Sequence, residues 1–174
     1  MGESGEWFEL AFVIGEADLL PLPEGEERNR AVRLAMDSFY GEIIRPVLEA
    51  VAAAAGVPAR TLWATLATNL KYAQDRLDEQ ELPSLLRNNF ARDFAYLMKE
   101  MPGTVTGTGE RNPFDVRFRY ADSPYEPGKK VLIRATCCLA YKTDTEYGYC
   151  YNCPKLSQAE RAEHYRKIRA KAHA

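Results

Sequence analysis

The chain has 174 residues, 46% of them apolar, with a mean hydropathy of −0.40 and a formal net charge of −2. That is enough material for one domain, or one domain with a small subdomain. The net charge is too low to mark the whole molecule as a binder of nucleic acid or of a membrane surface. The distribution is uneven, however: residues 1–100 hold 10 Lys and Arg against 17 Asp and Glu, whereas residues 101–174 hold 13 against 8.

The first residues, Met1-Gly-Glu-Ser-Gly-Glu6, are acidic and lack the basic start of a secretory signal. Glu6 stands where N-myristoylation wants Ser or Thr, and no apolar run approaches the length of a membrane span. A cytoplasmic location is expected, where thiols stay reduced and a disulfide framework is disfavoured.

Residues 7–14, rich in aromatic and branched side chains, read as a strand closed off by Gly15 and Pro21-Leu-Pro23. A long helix is expected from Arg28 to Ala55, with Val32, Met36, Phe39, Ile43, Val47 and Val51 on one apolar face and Pro46 as a kink or interruption. Gly56 stops it and Pro58 opens the next helix, whose buried stripe reads Leu62, Leu66, Leu70, Ala73 and Leu77. A third helix is expected from Leu82 to Met101, aligned on Leu82, Leu86, Phe90, Phe94, Leu97 and Met101. Asn69, Tyr72, Asn88 and Asn89 are polar positions on these helices that could face a ligand, although a satisfied surface amide is the simpler reading. Pro102-Gly-Thr-Val-Thr-Gly-Thr-Gly109 reads as a flexible connection and a boundary. It is not a phosphate loop, because Arg111-Asn112 follow where Lys-Ser/Thr is required.

Beyond Asn112-Pro113 the period changes to that of a strand: Val116, Phe118 and Tyr120 alternate with Arg117 and Arg119. Asp122 to Gly128 is turn material, and Lys130 to Thr136 reads as an antiparallel partner strand that delivers Arg134 and then a pair of cysteines. Lys142 to Gly148 is a polar loop. Ser157-Gln-Ala-Glu160 matches a capping box that starts a last, basic helix carrying Arg161, Arg166, Lys167, Arg169 and Lys171. Its C-terminal cations suit the helix dipole, and they also place positive charge near the cysteines. His164 and His173 lie in this helix or at its end.

All four cysteines, Cys137, Cys138, Cys150 and Cys153, fall within seventeen consecutive residues. Two adjacent thiols, eleven intervening residues and a Cys-x-x-Cys followed by proline look like one ligand set, for an iron–sulfur cluster or a structural zinc ion. Neighbouring side chains on a strand point to opposite faces, so both members of the adjacent pair reach one centre only if the chain bends there. Structural zinc usually spaces its ligands by two to four residues, which suits the adjacent pair poorly. A [2Fe–2S] cluster offers two attachment points and accommodates it better. A Rieske arrangement, needing two histidines in place of two cysteines, is disfavoured. Cys150 and Cys153 are expected to share one iron, although spacing does not fix the pairing.

The run Arg134-Ala-Thr-Cys-Cys-Leu-Ala-Tyr141, with Cys150-Tyr-Asn-Cys-Pro154, resembles the C-terminal signature of the FhuF-like ferric-siderophore reductases, Arg-x-x-Cys-Cys-Leu-x-Tyr, a spacer, and Cys-x-x-Cys-Pro. The spacer is one residue longer here than is usual, and members are usually longer toward the N-terminus. Asn112-Pro113 and Leu62-Trp63 are similar to less specific family features. The resemblance implies a [2Fe–2S] cluster held by Cys137, Cys138, Cys150 and Cys153, and one-electron reduction of siderophore-chelated ferric iron. Hard oxygen donors hold ferric iron far more tightly than ferrous, so one electron turns an inert complex into a labile one. No nicotinamide or flavin fingerprint is present, so the electrons come from an external donor, protein or diffusible.

The expectation is thus an α+β, mainly helical fold. A helical domain with an N-terminal strand (1–105) packs with a cluster-binding C-terminal subdomain (106–174), made of a small β-hairpin and a last helix. Its function is that of a ferric-siderophore reductase, an oxidoreductase acting on metal ions that releases Fe(II) for iron assimilation. Arg134 acts as a cation or hydrogen-bond donor near sulfur or chelate, while Tyr141, Tyr149 and Tyr151 shield the cluster. The alternatives are a [2Fe–2S] electron carrier or iron/redox sensor without siderophore turnover, and a zinc-stabilised interaction module.

Overall fold

Residues 21–142 and 148–171 are described by the computed structural model. The strand expected at 7–14, residues 143–147 of the polar loop between the cysteine pairs, and His173 lie outside them. The architecture is α+β and mainly helical: five α-helices and one two-stranded antiparallel sheet among the described residues.

Helices α1 (Gly25–Ser38) and α2 (Arg45–Ala55) run on from one another through a π-helical stretch, Phe39–Ile44. The expected long helix is present, but its pitch changes in the middle. Pro46 sits at the start of α2, directly after the π-helical stretch, where its missing N–H does not interrupt an α-helical ladder. The wider turn also shifts the buried face by one residue. Tyr40 and Ala52 are buried, with Met36, Ile44 and Leu48 packed against the core. Phe39, Ile43, Val47 and Val51, expected on the core side, are instead exposed. Gly56, at φ 63, ends α2 in the left-handed conformation that favours glycine.

Helix α3 (Ala59–Asp78) begins after Pro58, and its deepest residues are Trp63, Ala67 and Thr68. Leu66 and Leu70 of the expected stripe pack only partly, and Ala73 is exposed. Helix α4 (Ser84–Ala95) continues into a second π-helical turn, Tyr96–Glu100. Leu85 and Leu86 at its start are exposed, whereas Phe94, Tyr96, Leu97, Met98 and Met101 join the core. Arg28 of α1 pairs in bidentate fashion with Asp93 of α4, at 2.7 and 2.5 Å.

The stretch 102–109, expected to be a flexible connection, is a compact knot of turns. Val105 N donates to Pro102 O, Thr108 N to Gly103 O, and buried Thr106 Oγ1 to Gly103 O. A Cβ on Gly103 would lie 2.4 Å from the Arg111 carbonyl oxygen, so only glycine allows this closure. The threonine hydroxyls satisfy groups that a solvated linker would leave to water. Asn112, also buried, completes the knot: its Nδ2 donates to Leu97 O at 2.9 Å and its Oδ1 accepts from Phe114 N at 2.9 Å. Phe114 is thereby set edge-on between Tyr40 and Trp63, with ring centroids 5.3 and 5.5 Å away, at the centre of the helical core.

Strands β1 (Arg119–Asp122) and β2 (Lys130–Ile133) form the hairpin, with Arg119 opposite Ile133 and Asp122 opposite Lys130. The first is shorter than expected: Val116 and Phe118 pack on the helical core instead of entering the ladder. Helix α5 (Gln158–Lys171) starts at the expected capping box, with Ser157 N donating to Glu160 Oε2 at 2.8 Å and Glu160 N to Ser157 Oγ at 3.3 Å. No described helix is long and apolar enough to cross a membrane.

Candidate metal centre

Two loops carry the cysteines, and α3 holds them in place. Strand β2 ends at Ile133, so Arg134 is the first residue past the ladder and not within it, as expected from sequence. Arg134 N donates to Asn152 O at 3.0 Å, which ties the first loop to the second. Ala135 N donates to Thr68 Oγ1 at 3.0 Å, while that hydroxyl donates to Ala64 O one turn back in α3. Tyr72 Oη, one turn further on, accepts from Asn152 Nδ2 at 2.9 Å and donates to Leu132 O at 3.4 Å. The helix thus supplies a hydroxyl to each cysteine loop.

Directly after the adjacent cysteines, Leu139 adopts φ 62, the only positive φ of a non-glycine residue among those described. A branched side chain in this region is strained by about 1–2 kcal/mol. The chain has already left strand geometry at Cys137 and Cys138, after bends at Ala135 and Thr136, as two neighbouring thiols facing one centre require. In the second loop Cys153 N donates to Cys150 O at 2.9 Å, a tight turn that brings the Cys-x-x-Cys pair round. The outcome is one cavity of about 500 Å³ whose walls include all four cysteines, together with Tyr141, Tyr149, Tyr151 and His164. All four are free thiols. Cys137 and Cys153 are buried and their Sγ atoms lie 3.6 Å apart, the one thiol–thiol hydrogen bond among the described residues. Cys138 and Cys150 are exposed.

The surroundings divide in the same way. Leu139, Leu156, Tyr141 and Tyr149 pack around the buried pair, the two tyrosine rings 4.7 Å apart. Tyr151 is buried and donates to Asp122 O at 2.6 Å, locking the second loop to the hairpin. Burial pushes the Cys153 thiol up to about 11. It raises Cys150 as well, against the pull of the Arg134 guanidinium. Arg134 is half-buried, and its side chain has no hydrogen-bond or ion-pair partner among the described residues. Arg161 behaves differently: it donates to the carbonyls of Tyr151, Cys153 at 2.9 Å and Leu156 at 3.3 Å, stitching the second loop to α5.

A model of the family described as ferric iron reductase FhuF-like transporter matches residues 15–125, and one described as the FhuF 2Fe-2S C-terminal domain matches residues 134–155. The chain belongs to the FhuF-like ferric iron reductase family. No curated protein and no solved structure matches this FhuF-like chain significantly.

The [2Fe–2S] cluster of FhuF-like C-terminal domains fits the residues present here. The donor set is four thiols on one cavity, Cys137 and Cys153 close together and buried, Cys138 and Cys150 exposed. Among the described residues no three His, Cys, Asp or Glu side chains are already grouped as a metal site, whether for one ion or for a cluster. Adjacent cysteines suit a two-iron cluster better than the one-ion tetrahedral cage of structural zinc.

Of the polar residues singled out on the helices, Asn69 and Tyr72 face the cysteine loops, whereas Asn88 and Asn89 line neither that cavity nor its neighbours. Sequence reasoning passed over Thr68 and Asn152 as parts of this FhuF-like site, and read Arg161 only as one of the cations of the last helix. Arg161 had left a signal: a cation in the first turns of a helix opposes the dipole, so another partner must hold it. Thr68 left none, because a mid-helix threonine ordinarily bonds back to its own helix.

Proposed function

We propose that this chain is a ferric-siderophore reductase that passes one electron to chelated Fe(III) and so releases Fe(II) for assimilation. The observation that supports this reading best is the cavity on which all four cysteines meet, two of them buried and two at the surface, beside a guanidinium with no hydrogen-bond or ion-pair partner among the described residues. Cys137, Cys138, Cys150 and Cys153 would hold the [2Fe–2S] cluster, which when bound supplies a reversible one-electron store. Tyr141, Tyr149 and Leu156 keep water from the buried side. Arg134 places positive charge where an electron adds negative charge, which favours the reduced state.

The overall reaction takes one electron from an external donor, protein or diffusible, and gives it to the ferric chelate. The chelate then sheds ferrous iron, because hard oxygen ligands hold it weakly. No proton transfer or nucleophile is needed. Lacking a described segment able to span a membrane, the chain is read as working in the cytoplasm, where its thiols stay reduced.

The test is direct. Protein purified without oxygen should be reddish-brown and carry two irons and two acid-labile sulfides per chain. After dithionite reduction, stopped-flow mixing with ferric chelates and a ferrous trap should reoxidise it with one equivalent of Fe(II) formed. A loaded, redox-active protein inert toward every chelate would be an electron carrier or sensor. A colourless protein with one zinc would be an interaction module.

A further inference from the structure

We infer that the electron leaves through the face bearing Cys138 and Cys150, and that the small polar pocket beside Cys138 seats an anionic oxygen arm of the chelate. This rests on the reductase reading above and adds where and how the substrate docks.

The first argument is the arrangement of the thiols. With metal–sulfur bonds of about 2.3 Å, two thiolates on one tetrahedral centre lie ~3.8 Å apart. Cys137 and Cys153, at 3.6 Å, already have that spacing, so they take one iron and leave Cys138 and Cys150 to the other. This differs from the pairing expected from the Cys-x-x-Cys spacing. The iron of Cys137 and Cys153 is the inner one, since those residues are only 7% and 1% exposed. Cys138 and Cys150, both exposed, would hold the outer iron, and because electron transfer falls steeply with distance the chelate would dock on their side.

The second argument is the pocket at that outer edge. It has a volume of about 210 Å³ and is walled by Thr65, Thr68, Asn69, Arg134, Thr136 and Cys138. The hydroxyls of Thr65 and Thr68 already donate to Thr61 O and Ala64 O. Among the described residues the Asn69 amide and the Arg134 guanidinium donate to nothing, and none of those lining the pocket is a carboxylate. The guanidinium can only donate and carries a positive charge, and with the Asn69 Nδ2 beside it the pocket favours a negatively charged accepting group: a carboxylate, hydroxamate or catecholate oxygen. The volume admits one such arm of a chelate, with the iron held outside against Cys138.

A larger groove of about 710 Å³ between β1 and α5 carries Arg119, Arg161 and Arg166. It is the weaker seat. Tyr151 and Leu156 form its wall on the cysteine side, and Arg161 is committed to backbone carbonyls.

The experiment uses the loaded full chain, reduced with dithionite and mixed with ferric citrate or with neutral ferric tris-acetohydroxamate. Asn69→Leu should raise the half-saturating concentration of ferric citrate about tenfold, with the EPR spectrum, reduction potential and melting temperature unchanged. Asn69→Asp, nearly isosteric, should weaken citrate more than the neutral chelate. Arg166→Ala, in the groove, should change neither. The reverse pattern, or Asn69 variants indistinguishable from wild type, overturns the docking site while leaving the reductase reading intact. A wild-type protein that reduces neither chelate overturns both. The pairing has its own readout in wild type: hyperfine-shifted proton NMR of the reduced cluster sorts cysteine β-protons by iron. The set showing nuclear Overhauser contacts to Leu156 should comprise Cys137 and Cys153, and a set mixing one of them with Cys138 or Cys150 refutes the inner and outer assignment.

Discussion

Thr68 Oγ1 accepts a hydrogen bond from Ala135 N at 3.0 Å, across 67 residues of sequence, and this contact joins the helical core to the first cysteine loop. Removing it with Thr68→Val keeps the shape and leaves Ala135 N without a partner, a local cost of about 1–3 kcal/mol. The loop should open more often. Loss of iron to a chelator, followed by bleaching, should quicken several-fold while helical unfolding in urea shifts little.

Arg134→Ala should lower the reduction potential on the order of tens of millivolts, because a nearby cation stabilises the more negative reduced state. Arg134→Lys should keep most of the effect. Spectroelectrochemical titration of the three proteins checks this, and equal potentials together with equal rates on ferric chelates would leave Arg134 an ordinary surface charge.

Cys150→Ser should abolish cluster loading yet leave the helices folded, since the core around Trp63 and Phe114 contains no cysteine. Iron content near zero with a far-ultraviolet circular dichroism spectrum close to that of apo wild type is the expected result. A protein that loads fully would exclude Cys150 as a ligand.

Asn112→Ala should act on the opposite part of the molecule. It strips partners from both Leu97 O and Phe114 N in a buried setting, and the cost should be about 2–4 kcal/mol. The urea midpoint should fall markedly. Any change in cluster potential should stay small.

Tyr96 supplies a pH signature. Its Oη donates to Asp37 Oδ1 at 2.7 Å, and burial, reinforced by that bond, pushes the phenol from 10.0 up to about 12. A folded state that resists ionisation is favoured below the unfolded value and loses that advantage as pH rises through the folded one. Tyr96→Phe should therefore cost about 1 kcal/mol, constant from pH 7 to 9 and shrinking between 10 and 12. Urea midpoints of both proteins across that range test it.

Much of the site was legible in the chain because its ingredients are local. The adjacent cysteines, the Cys-x-x-Cys turn, the capping box at Ser157 and the stop at Gly56 each depend on neighbours within a few residues. The helices were legible as well, since their apolar periods are local, though not the faces they bury. A π-helical turn at Phe39–Ile44 moved the core side from Ile43 and Val47 to Ile44 and Leu48, and no periodicity assumed at constant pitch can show that. The stretch 102–109 reads as a linker by composition, yet its threonines and glycines close on one another and on Arg111 through contacts only a folded chain brings together.

The sequence by itself determined the donor chemistry, the mainly helical α+β class and the family resemblance, because residue type and short spacing carry those directly. Tertiary structure alone decided that Cys137 lies against Cys153, that Cys138 and Cys150 face outward, and that Thr68, Tyr72 and Arg161 hold the loops. Those facts depend on segments far apart in the chain arriving at one place, and long-range packing is not written in local periodicity.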